Sequence, residues 1–164
     1  MQVLLRYLPA IGTVVGLITA GLAYRTYYRQ ARLERLKWLQ QLYDSFYNSE
    51  RYKPVRQIID FDDMAEVLSL LQKSDYECRQ LPEKQRNLLD QFTDYLNFFE
   101  WIAFLEWKRQ LNFKDIDVMF NYYLKRVVEI DNKHENQISK YMSNSGYEQF
   151  RRLLVKHFSL LDGK

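Results

Sequence analysis

The sequence predicts an all-α protein in which a single N-terminal transmembrane helix continues into a cytoplasmic bundle of about five helices. Three observations carry that expectation. Residues 7–24 (YLPAIGTVVGLITAGLAY) hold no charged side chain, in a chain of which 27% is charged. Beyond them, apolar residues recur at spacings of three and four, the repeat of one helix face. Five glycines and three prolines in 164 residues leave few turn formers, and no alternating apolar and polar run marks a strand.

The uncharged stretch, read as an anchor over residues 1–24, covers roughly 27 Å as a helix, close to the hydrocarbon thickness of a bilayer. Pro9 falls in the first turn, where a missing amide donor costs little, and Tyr7 and Tyr24 mark the two ends, where amphipathic rings suit the headgroup level. Gly12, Gly16 and Ala20 recur on one face; small residues so spaced let two membrane helices approach closely, which points to a protein partner or a homo-oligomer packed through this helix. A secretory signal peptide would also begin with a basic residue and an apolar run, and Gly21-Leu22-Ala23 would serve as its cleavage site. Arg25, Arg29, Arg32, Arg35 and Lys37 argue against it, because an export signal would have to carry them across the membrane.

Those five cations, opposed within residues 25–37 only by Glu34, define a basic juxtamembrane helix over residues 25–48. They place it on the cytoplasmic side of the cell inner membrane, with the N-terminus outside, and they give it anionic lipid headgroups as partners at about 1 kcal/mol per side chain. With Arg6, they also account for more than the formal net charge of +3, so residues 38–164 are slightly acidic. The slightly acidic domain does not argue for a phosphate backbone, and no nucleic acid is expected as a partner; for the basic stretch itself, nucleic-acid or protein docking is the alternative to lipid. Cys78, the single cysteine, excludes an intrachain disulfide and fits a reducing compartment.

Nothing breaks the first helix before Tyr47, and Leu36, Leu39, Tyr43 and Phe46, widened by Leu33 and Leu42, form a seam along it. The remaining residues, 49–164, make the bundle. A short helix opens near Lys53-Pro54 and reaches Ile58 and Ile59, proline being well tolerated in a first turn. Another carries Met64, Val67, Leu68 and Leu71, after which residues 72–81 read as loop. Pro82 and Glu83 begin the most apolar element, with Leu88, Leu89, Phe92, Leu96, Phe99, Ile102 and Ala103 inward. Its residues 96–105 are apolar almost all round, which places it at the bundle centre. Residues 114–143 read as one long helix with Ile116, Phe120, Leu124, Val127, Ile130 and Ile138 inward. Ser145-Gly146 ends it, and a last helix carries Phe150, Leu153, Leu154, His157, Phe158 and Leu161.

This order of a basic-flanked membrane helix, a Leu- and Tyr-rich helix, and then Asn97-Phe98-Phe99-Glu100 resembles a family of small bacterial membrane-anchored helical proteins of unknown function. The resemblance covers residues 1–130 and rests chiefly on the Asn-aromatic-aromatic-Glu motif. It implies the architecture and no chemistry.

Chemical constellations are sparse. Asp90, Asp94, Asn97 and Glu100 form a polar ridge at helical spacing. Asn97 and Glu100 are expected in a buried hydrogen-bonded network that fixes how helices dock, with Arg56 or Arg126 as a charge partner. Asp60, Asp62, Asp63 and Glu66 form the densest acidic cluster, a candidate magnesium site or, more simply, an acidic helix-capping turn. A carboxylate-bridged metal bundle would need two Glu-x-x-His pairs on facing helices; Asp131 and His134 have the spacing of one, and His157 has no acid three residues before it. No glycine loop, nucleophile elbow or HExxH motif is present, so no cofactor and no catalytic residue are expected. The function expected is that of a membrane-anchored, non-catalytic scaffold or regulatory protein. The alternative is a membrane-bound effector, a toxin or defence component, or a metal-dependent enzyme using the acidic cluster.

Overall fold

The computed structural model describes the backbone of residues 2–158 and the side chains from residue 16 onward, residue 75 excepted. Among the described residues all regular structure is helical: α1 (Gln2–Tyr47), α2 (Lys53–Asp60), α3 (Ala65–Leu71), α4 (Asp75–Arg79), α5 (Glu83–Trp107), α6 (Phe113–Lys133), α7 (Gln137–Asn144) and α8 (Glu148–Phe158). The chain divides into two compact units, Met1–Asp44 and Ser45–Lys164.

The first unit is α1 up to Asp44. No proline or glycine pair interrupts the helix after its first turns, and Thr26 Oγ1 returns a hydrogen bond to the Leu22 carbonyl at 2.9 Å inside it. Among the described residues no helix is long and apolar enough to cross a membrane. The side chains of residues 7–15, half of the uncharged stretch, lie outside those described, and Gly12 is among them. From Gly16 on, Leu17, Ile18 and Leu22 are 69%, 58% and 60% exposed. The seam expected further along is covered only in part, since Leu42 is buried while Leu33 and Leu36 each expose half their surface.

The second unit owes its core to aromatic rings. Phe46, fully buried, lies among Tyr52, Tyr95, Phe98, Phe99, Phe120 and Tyr123 with ring centroids 5.2–6.0 Å away. Several of these pairs are edge-to-face, the arrangement in which a ring's positive rim meets its neighbour's negative face. The Arg56 guanidinium closes one side, lying 5.6 Å from the Phe46 ring and donating to the Phe46 carbonyl. α5 runs beside α2, α3 and α8, and α6 beside α2, α7 and α8. The inner stripe of α5 is buried at Phe92, Leu96, Phe99, Ile102 and Ala103, with Leu88 and Leu89 half-buried.

Three local expectations are corrected. Residues 72–81 are not all loop: Ser74 and Glu77 close a reciprocal capping box that opens α4. Residues 114–143 are not one helix, because the chain turns at His134–Asn136, with Glu135 (φ 57°) and Asn136 (φ 59°) left-handed. α5 is not enveloped, since Trp101, Phe104 and Trp107 are 45%, 40% and 48% exposed.

Candidate functional site

Two carboxylates serve the starts of the last two described helices, Asp131 from just upstream in the chain and Glu100 from across the bundle. A helix N-terminus leaves backbone amides without partners and carries a partial positive charge. Asp131, on α6 and fully buried, accepts from the Ile138 and Ser139 amides of α7 at 2.7 and 3.1 Å, and from the Ser139 hydroxyl at 2.5 Å. Asn136, the residue before α7, is left-handed and caps nothing with its own side chain, so the cap arrives from a turn upstream. Glu100, half-buried on α5, accepts from the Gln149 and Phe150 amides of α8 at 3.1 and 2.7 Å. These bonds give both carboxylates a helix-capping role.

The polar network expected around Glu100 takes a different form. Its partners are backbone amides, neither Arg56 nor Arg126, and Asn97 lies exposed on the outer face of α5. Arg126 bonds Glu129 at 2.7 Å, which leaves its own neighbour paired. Asp94, a turn before Asn97, is held in a two-pronged ion pair by Arg51. The ridge that helical spacing draws along α5 therefore splits: Asp94 toward α2, Asn97 to solvent, and Glu100 to α8.

The acidic cluster also comes apart in space. Asp62, left-handed at φ 56°, turns the chain so that its neighbours diverge. Its carboxylate meets Lys133 Nζ at 2.5 Å, and that hydrogen bond holds its pKa below the usual range. Asp60 accepts a long bond from the Tyr123 hydroxyl at 3.4 Å, and burial pushes that hydroxyl up to about 12. Asp63 and Glu66 line an open cleft with Lys84, Asn87 and Gln91. Among the described residues no three His, Cys, Asp or Glu side chains gather as they would to hold a metal.

Both histidines are half-buried. His157 lies flat on Phe113, ring centroids 3.6 Å apart, with Nε2 3.7 Å from Glu106, which also accepts from Lys156 at 3.0 Å. Burial, helped by Lys156, lowers the pKa of His157.

On α1, Arg25, Arg29, Arg32, Arg35 and Lys37 are all exposed, as are Tyr24, Tyr27 and Tyr28. A methyl added at Gly16 would meet no atom within 4 Å, so contacts within this chain do not demand its small size. Comparison with protein families, with curated proteins and with solved structures finds no match.

Proposed function

We propose that this chain is a membrane-anchored, non-catalytic interaction protein, a scaffold or regulator whose helical bundle lies in the cytoplasm. Residues 7–24 form the single-pass anchor in the inner membrane, with the N-terminus outside. The observation that carries this reading is the order along one helix: an uncharged stretch whose described apolar side chains are exposed, closed by Tyr24, then five exposed cations with Tyr27 and Tyr28 among them. Exposed leucine and isoleucine on a helix need cover, and lipid or a second helix supplies it. Tyrosine followed by arginine is the pattern of a helix leaving the cytoplasmic face of a bilayer. Gly16 and Ala20, with Gly12 ahead of them, offer the face for a partner helix or a second copy.

The bundle's chemistry supports a binding role. Asp131 and Glu100 cap helices, and Asp62, Asp94 and Glu106 pair with cations. The experiment is alkaline extraction of membranes from cells expressing the full chain, combined with labelling of the lone Cys78. The expected result is a chain that stays in the membrane pellet, and a Cys78 that an impermeant maleimide reaches only after the cells are permeabilised. Release into the alkaline supernatant would sink the anchor, and labelling in intact cells would invert the orientation. Affinity purification from detergent then tests the scaffold: a co-purifying protein or second copy should be lost in a Gly16→Leu variant.

A further inference from the structure

We propose that the C-terminal end of α5, with the turn that follows it, is a docking surface for an anionic lipid bilayer. Trp101, Phe104 and Trp107 occupy one side of the last two turns of α5 and are each a little under half exposed. Rings held at that depth have one part packed on the protein and the other open, as a ring lodged at headgroup level requires. The charge is set among them: Lys108 Nζ lies 4.2 Å from the Trp107 ring centroid and 5.6 Å from that of Phe104. Arg109 ends the helix in a left-handed conformation, and Lys114 follows in the first turn of α6; all three cations are exposed. Glu106, the acid within this run, turns away to Lys156 and His157 on α8 and is only 19% exposed. Asp117, a turn further along α6, is the nearest exposed acid in sequence beyond the half-buried Asp115.

The pairing of indole rings with exposed cations selects lipid. Indole favours the bilayer interface, and each lysine or arginine adds attraction to an anionic leaflet. Two other exposed aromatics of the bundle, Phe61 and Tyr122, lack this setting. Phe61 sits between Asp60 and Asp62, and the Tyr122 hydroxyl is pushed up by its hydrogen bond to Asp60. An anionic surface would repel those sites. The inference rests on the reading that brings this chain to a membrane, and it names the lipid chemistry that the bundle itself would meet.

The test uses the full chain with Trp38→Phe, which leaves Trp101 and Trp107 as reporters, added to vesicles of phosphatidylcholine alone or mixed with phosphatidylglycerol. Lipids brominated near the headgroup should quench both indoles in the anionic vesicles. Lys108→Glu with Arg109→Glu should return quenching to the zwitterionic level, as should high salt, while circular dichroism stays unchanged. Trp101→Ser, read through Trp107, should weaken quenching without disturbing the fold. Indoles that stay open to aqueous iodide and untouched by bromolipid, on a chain that resists alkaline extraction, would overturn the docking surface and leave the anchor standing. Quenching of a chain that alkali extracts would support the surface and remove the anchor. Protection of the indoles by a second protein or a second copy, without bromolipid quenching, would overturn the lipid assignment.

Discussion

Glu100 shows how much of a residue's role is set by what it faces. Flanked by Phe99 and Trp101, it could be a desolvated acid, yet its oxygens are taken by two α8 amides. Glu100→Ala should therefore cost about 1–2 kcal/mol, the range of a lost helix cap, while Asn97→Ala should change stability by less than about 0.5 kcal/mol. Urea denaturation of both variants checks this; equal effects would remove the cap from Glu100. Tyr95 presents the opposite case. Its ring is fully buried among aromatics, and its hydroxyl has no partner among the described residues. Burial holds that hydroxyl well above its usual pKa. Tyr95→Phe should leave stability unchanged or raise it by about 1 kcal/mol, because an unpaired buried hydroxyl costs its desolvation. A clear loss of stability would show that the hydroxyl is hydrogen-bonded in solution.

At the scale of the element, the last two helices hold the bundle through their first turns. Asp131 is fully buried with three donors on it, so Asp131→Ala should cost about 2–3 kcal/mol, more than Glu100→Ala, since its bonds are charge-assisted and out of water. The same urea titration measures the difference. At the end of α8, His157 has its pKa lowered by burial and by Lys156. As pH falls through the ordinary histidine range, near 6.5, the unfolded chain takes up this proton before the folded one does. The stability it contributes is thus present above that range and is lost as pH falls toward the folded value. His157→Phe, which keeps the stack on Phe113, should flatten the decline between neutral pH and about pH 5 in thermal midpoint measurements. A wild-type curve that coincides with the variant's would remove His157 from the titration. Sequence periodicity found the long, strongly amphipathic stretches of α5 and α6 because burial and helical repeat coincide there. It missed the turn at His134–Asn136, since Ile138 continues the inward stripe across the break. It also missed α4, read as loop because the segment is polar throughout, although Ser74 and Glu77 stand at the spacing of a capping box.

For the whole molecule, the division between Asp44 and Ser45 puts Phe46 inside the bundle's own core. Residues 45–164 produced alone should unfold cooperatively. A chain beginning at residue 49, where the helical pattern itself ends, should be weaker by about 3–5 kcal/mol, because it lacks the ring that fills the aromatic core. Thermal and urea unfolding of the two fragments decides this, and equal stability would show that Phe46 is dispensable. The sequence by itself determined the all-helical class, the long stretches of inward residues, and the uncharged, arginine-flanked N-terminal segment. Each of those is a property of neighbours along one helix, which spacing and composition report directly. Only the tertiary structure decided that Glu100 caps the distant α8, that the Asp60 to Glu66 acids part toward different partners, and that Trp101, Phe104 and Trp107 stay partly open. Those depend on which backbone amides, cations and surfaces arrive from residues far along the chain, and no periodicity encodes the arrival.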